Sequence, residues 1–210
     1  MTTGPSSPSS SRAYANRRRI MDIALTELLQ DPDASMDRIA RAAGVVRRTV
    51  YGHFPSREAL VTALTDSATA DVAAAFDSGT DPELPADLAL ARATVAVWQV
   101  ADRYRLLLAL ARRSVTDEGI RARLEPVRRS AAQLIGRGLR EGCFRTDLPP
   151  LALAHLHEHT LFGITQAVNY GALPAREAGA AAVAAVLATV GVAAERVAEL
   201  AGAVAGVEGD

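Results

Sequence analysis

With 210 residues, 49% hydrophobic residues and only 22% charged ones, the chain is long and apolar enough to bury a core, which excludes disorder throughout. Aromatics are only 4%, and alanine and leucine dominate the apolar set, so packed helices are favoured over sheets of β-branched and aromatic residues. Cys143 is the only cysteine, which excludes an internal disulfide and leans to a reducing, cytoplasmic setting. The net charge of −1 hides an asymmetry: from Arg12 to Arg57 there are nine arginines against five acids, whereas the remainder has fourteen against nineteen. A basic head on a mildly acidic body fits nucleic-acid binding, although a charge run alone is more often a solvated face.

In chain order, the opening Ser- and Pro-rich stretch has no basic and apolar leader pattern and is expected to be a disordered tail over 1–11. Ile20, Ile23, Ala24, Leu28 and Leu29 then fall at helical spacing behind Arg17, Arg18 and Arg19, and Asp31-Pro32-Asp33 ends that helix. Ser35 offers an N-cap to a short second helix whose inner face is Ile39, Ala40 and Ala43, closed by Gly44. A third short helix is expected from about Arg47 to Phe54. Pro55-Ser56 restarts the chain, with Ser56 as cap of a longer helix carrying Leu60, Val61, Leu64, Ala68, Val72 and Phe76.

Gly79, Pro82 and Pro85 mark a linker, and further helices are expected over about 86–113, 125–140, 151–170 and 175–200. The charge-free run from Ala178 to Ala194 is rich in alanine and short for a membrane span. The fold expected is all-α. A helix-turn-helix domain of three helices covers 12–56, a linking helix covers 57–77, a helical ligand-binding and dimerisation domain covers 78–205, and a tail follows over 206–210.

Two short helices around a glycine turn have helix-turn-helix spacing, in which the second enters the DNA major groove. At 100° per residue, Val50 and Phe54 share the inner side of the third helix, and Arg48 and Gly52 point outward between Thr49 and Tyr51. Arginine can grip guanine through two hydrogen bonds, and Thr49 and Tyr51 can donate to phosphates. Gly52 weakens the helix by up to about 1 kcal/mol, which suits a face that must approach something closely.

The run Met36-Asp37-Arg38-Ile39-Ala40-Arg41-Ala42-Ala43-Gly44-Val45, followed by Thr49-Val50-Tyr51-Gly52-His53-Phe54-Pro55-Ser56-Arg57-Glu58-Ala59-Leu60, resembles the TetR family of transcriptional regulators over about 17–64. The resemblance implies that Arg47, Arg48, Thr49, Tyr51 and His53 line the DNA, and that a divergent C-terminal domain binds ligand and dimerises. Arg17, Gly52 and Arg57 complete the candidate DNA-binding set. Val46 stands where the family often places serine, so a phosphate contact and a helix cap are expected to be missing, with Arg47 compensating.

The body shows no phosphate loop, nucleophile elbow or zinc-protease motif, so no catalytic residue and no cofactor is assigned. Trp98, Gln99, Tyr104, His155, His159 and Phe162 are the candidate ligand-binding residues, because they mix aromatic and polar groups as a cavity requires. Taken alone, Trp98 reads more readily as plain core. His155 and His159 share a helical face at i and i+4, but two ligands do not close a metal site, and none is assigned. Gly163, Ala167 and Gly171, with Ala180, Ala184, Ala188 and Gly191, suggest close packing of the last two long helices in a homodimer. The function expected is a repressor released from a palindromic double-stranded DNA operator by an unknown small molecule, acting without a membrane. An activator of the same fold, a helical metal-binding enzyme and a scaffold protein are the competing readings.

Overall fold

The computed structural model describes the backbone of residues 8–114 and 117–205, with side chains over 12–105 and 118–203. Among the described residues there are helices and no strand: α1 (Pro8–Gln30), α2 (Met36–Ala42), α3 (Arg47–His53), α4 (Arg57–Gly79), α5 (Ala86–Ser114), α6 (Asp117–Arg123), α7 (Glu125–Glu141), α8 (Pro150–Asn169), α9 (Ala175–Thr189) and α10 (Ala194–Ala205). The chain divides into two compact units, 1–67 with 106–116 and 68–105 with 117–210, so the division falls inside α4 between Ser67 and Ala68 and again inside α5 between Arg105 and Leu106. Of the tail expected over 1–11, residues 1–7 lie outside the described residues, whereas 8–11 open α1, where Pro8 suits a helix start. Residues 206–210 also lie outside them.

The first unit is built on α1 to α3 and the start of α4. Ile20, Ala24 and Leu28 of α1, Ile39 of α2, Val50 of α3, and Leu60 and Val61 of α4 are fully buried. Each such isoleucine, leucine or valine side chain removed from water contributes about 1.5–3 kcal/mol, so these short helices are held by packing rather than by propensity. Caps set their ends. Ser35 Oγ accepts from the Arg38 N–H at 3.2 Å, and Ser56 Oγ accepts from the Ala59 N–H at 3.1 Å. Arg38 then ties α2 to the end of α1 through Glu27 and, at 2.8 Å, Asp31.

In the second unit α7 packs on α8, α8 on α9, and α9 on α10. Phe76, Leu90, Ile135, Leu153 and Leu187 are among its largest buried side chains. Arg137 fastens the α4–α5 connection by donating to the carbonyls of Pro82 at 2.8 Å and Leu84 at 3.2 Å. Asp87 is buried and accepts from Arg196 of α10 at 2.8 Å. Burial alone would raise its carboxyl, but the hydrogen bonds from Arg196 and the Leu88 N–H outweigh burial and hold it below its usual range.

Two features of this unit depart from the sequence expectation. α6 was not anticipated: the expected helices left 114–124 as a connection, and its seven residues show no period of their own. The single helix expected over 175–200 is two, α9 and α10. Gly191 ends α9 at φ +77°, the Val192 N–H returns to the Leu187 carbonyl at 3.0 Å, and a Cβ on Gly191 would meet the Arg145 carbonyl oxygen at 2.1 Å. Gly191 is therefore a helix terminator under a crossing backbone rather than a member of a small-residue packing stripe.

Candidate nucleic-acid interface

The turn between α2 and α3 depends on Gly44, whose φ of +64° would strain any side-chain-bearing residue. The Val45 N–H caps the Ala40 carbonyl at 3.0 Å, and the chain enters α3 at an extended Val46. Val46 supplies no side-chain cap, as its apolar side chain dictates. Val50 and Phe54 are buried, which locks the rotation of α3 and leaves Arg48, Tyr51 and Gly52 exposed, with Thr49 and His53 half-buried beside them. A Cβ on Gly52 would find no heavy atom within 4 Å. No described residue requires glycine there, so a smooth outer face on α3 is left without an explanation among the described residues.

The arginines near this face divide into tethered and untethered ones. Arg47 lies with its Nε 3.0 Å from Asp37 Oδ1, donates from Nη1 to Oδ2 at 3.1 Å, and stacks 5.1 Å above the Tyr51 ring. Its Nη2 donates to the Tyr51 hydroxyl at 3.4 Å. That bond, and then the charge of Asp37, raise the basicity of the guanidinium. Arg17 stacks 5.0 Å over Phe54 and donates to Met21 Sδ, and Arg57 donates to the Pro32 carbonyl. Arg48 makes no hydrogen bond or ion pair among the described residues, and its side chain is exposed.

Sequence reasoning grouped Arg17, Arg47, Arg48 and Arg57 together; the fold gives three of them internal partners. It named Asp37 only as part of the run Met36 to Val45 and gave it no partner. Asp37 and Arg47 are ten positions apart on different helices, and no single-helix period connects them.

In the second unit the six candidate ligand residues do not converge. Trp98 is only 3% exposed, and Tyr104 is half-buried with its hydroxyl donating to Asp71 at 2.7 Å. Gln99, His155 and His159 are exposed, and half-buried Phe162 meets the His159 ring edge-on at 6.5 Å. The buried face of α8 is Leu153, Ala154, His157, Leu161 and Thr165, which turns positions 155 and 159 outward. The buried histidine is His157, at 4% exposure, with Phe76 edge-on at 5.9 Å and Thr94 Oγ1 3.4 Å from Nε2. Thr94 already donates to the Leu90 carbonyl, so its oxygen is the acceptor for His157. Burial pushes His157 down to about 4, and it is neutral at pH 7.

A second buried polar group joins α7 and α8. Arg128 donates from Nε to Glu158 Oε2 at 2.9 Å and from Nη2 to the Arg121 carbonyl at 3.1 Å, while Glu158 Oε1 is buried with no hydrogen-bond partner among the described residues. Among the described residues no group of three or more histidine, cysteine or acidic side chains is placed to hold a metal, and no helix is long and apolar enough to cross a membrane.

A family model described as bacterial regulatory proteins, tetR family, matches residues 29–64, which hold the end of α1, all of α2 and α3, and the start of α4. Over 90 residues, 43% of this chain, the sequence is 38% identical to the HTH-type transcriptional repressor LfrR of Mycolicibacterium smegmatis. That match spans about half of the relative, 47% of its length. The crystal structure of LfrR in complex with proflavine superposes with a TM-score of 0.65 at 22% identity, covering 83% of this chain and 96% of that one. RolR in complex with resorcinol gives a TM-score of 0.61 at 21% identity, covering 91% of this chain and 95% of that one. These two likenesses establish the all-α fold.

Proposed function

We propose that this chain, whose residues 29–64 match the tetR family model, is a TetR-like DNA-binding transcriptional repressor, released from a palindromic operator by a small molecule. The observation that carries the reading is the outer face of α3. Arg48 is untethered, Gly52 is bare, and Thr49, Tyr51 and His53 flank them, all fixed in rotation by buried Val50 and Phe54. Arg48 reads guanine, and the Tyr51 hydroxyl, accepting from Arg47, keeps its own proton to donate to a phosphate. Two such helices must reach successive major grooves about 34–36 Å apart, or a multiple of that, so the active form is a homodimer. α8 and α9, the long helices of the second unit's end, are the dimerisation surface. The work is regulation in the cytoplasm rather than catalysis.

The effector site belongs to the second unit. Trp98, Tyr104 and Phe162 remain candidates for its apolar walls, and the buried polar groups His157, Thr94 and Glu158 are the available hydrogen-bonding partners. Proflavine and resorcinol, bound by the two relatives, are the first effectors to try. An effector that lowers operator affinity must bind less tightly when DNA is present, by the same factor. The test is selection of duplexes from a random library, followed by titration of wild type, Arg48→Ala and Tyr51→Phe. Arg48→Ala is expected to relax preference at one base position, and Tyr51→Phe to weaken all sequences alike. Failure to enrich any sequence would overturn the reading.

A further inference from the structure

We propose that Asp37 is a specificity-setting residue of the DNA face: its carboxylate holds Arg47 away from the phosphate backbone, so that charge-driven binding to arbitrary sequence is held down. The inference rests on the DNA-binding reading above. The argument starts from the difference between Arg47 and Arg48, neighbours on one exposed helix. Both are cations on the face turned outward, yet only Arg47 is occupied. Two of its nitrogens lie against the two oxygens of Asp37, its plane lies over the Tyr51 ring, and its remaining terminal nitrogen reaches the Tyr51 hydroxyl.

An arginine at this position without Asp37 is available for phosphates, and phosphate contacts strengthen binding to every sequence equally. With Asp37 it becomes a spacer instead. It buttresses Tyr51 on one side and is neutralised on the other. The side chains of Asp37 and Arg47 are 46% and 64% exposed, so the pair is weak in stability terms and an acid on a DNA-facing surface opposes binding. Its presence at this place is explained by what it does to the ratio of operator to random affinity rather than by what it adds to folding. Each phosphate neutralised by a cation changes the slope of log K against log salt by about 0.9, and this gives a readout separate from affinity itself.

The experiment compares wild type, Asp37→Asn, Arg47→Gln and the double variant on two probes. One is the duplex enriched from a random library by the wild type; the other is an unrelated duplex of equal length. Affinities are measured from low to moderate salt. Asp37→Asn is expected to bind the unrelated duplex about fivefold to tenfold more tightly, with a slope steeper by about 0.9 per protomer. It is expected to gain less on the enriched duplex, so the ratio narrows. Arg47→Gln alone leaves the slope on the unrelated duplex unchanged, and the double variant returns to the Arg47→Gln level.

An equal gain from Asp37→Asn with and without Arg47 would show that Asp37 acts only as a repelling charge, and would overturn the inference while leaving the regulator intact. Equal effects on both probes with an unchanged slope would overturn it as well. A protein that enriches no duplex and binds neither probe would remove the DNA-binding reading first. Asp37→Ser, which also suits a first helical turn, carries the same expectation if Asp37→Asn does not fold.

Discussion

The two units of this chain treat charge in opposite ways. In the first, the arginines of α1 and α3 and the acids near them lie at the surface, and the buried set is apolar (Ile20, Leu28, Ile39, Val50, Phe54, Leu60) apart from Thr65, whose hydroxyl donates to the Val61 carbonyl of its own helix. In the second, Asp87, Arg128 and His157 are buried along with Thr94 and Thr165, and most are tied across helices by hydrogen bonds. An exposed charge is free to meet a partner of any size, which supports the polyanion-binding face proposed for the first unit. Buried polar groups require matched partners, and that suits selective recognition of something small enough to enter. The difference teaches where to look for each half of the function: on the outside of α3, and on the inside of α8.

The comparison breaks most visibly if stability and DNA contact prove inseparable. Gly191→Ala places a Cβ against the Arg145 carbonyl at a left-handed position and is expected to destabilise the second unit by about 3 kcal/mol. The head's DNA contacts should be unchanged in the protein that remains folded, as chemical denaturation and active-site-normalised DNA titration would measure together. Arg48→Ala is the converse. It is expected to cost about 1–3 kcal/mol of discrimination at one base position with the denaturation midpoint unmoved.

A pH series sharpens the contrast further. His157 titrates at about 4 in the native protein against an ordinary 6.5 when unfolded, so between those values the unfolded chain binds a proton that the native chain does not. Stability therefore falls as pH falls, by about 2 kcal/mol from pH 7 to pH 5 for this group. His157→Gln, which can still donate to Thr94, should flatten that part of the urea-midpoint profile; an unchanged profile would mean that His157 is not the buried group that titrates. Gly52→Ala is the smallest effect and the most diagnostic in sign. No neighbour opposes the methyl, so α3 should gain up to about 1 kcal/mol while operator affinity drops. A variant that is more stable and binds DNA equally well would show that α3 does not approach the groove closely.

The head was legible because its signals are local and concordant. Ser35 and Ser56 cap the helices they were expected to cap, Gly44 makes the turn, and Val50 and Phe54 fix the buried side of α3. In α8 the period gives no such direction. Leu151, Leu153, Leu156, Leu161 and Phe162 surround the helix, so spacing cannot choose between a buried 157 and a buried 155 and 159. The break at Gly191 was masked by the alanines on both sides, which suit a continuous helix. The Asp37 and Arg47 pairing depends on the angle at which two helices meet, which no single-helix pattern encodes. The same holds for Asp87 with Arg196 and Arg128 with Glu158.

Trp98, the one tryptophan of the chain, lies in the second unit and is almost wholly shielded from water. Its emission therefore reports on the body alone, since the tyrosines of the head, Tyr14 and Tyr51, are not excited at wavelengths that select indole. Far-ultraviolet circular dichroism, by contrast, counts every helix in both units. Overlaid melting curves from the two signals become a direct measure of cooperativity: coincident curves mean that head and body unfold as one, and a helical signal that falls before the indole shifts means that the head opens first. An effector that quenches or shifts the same emission at room temperature would, without any added label, mark its arrival in the body.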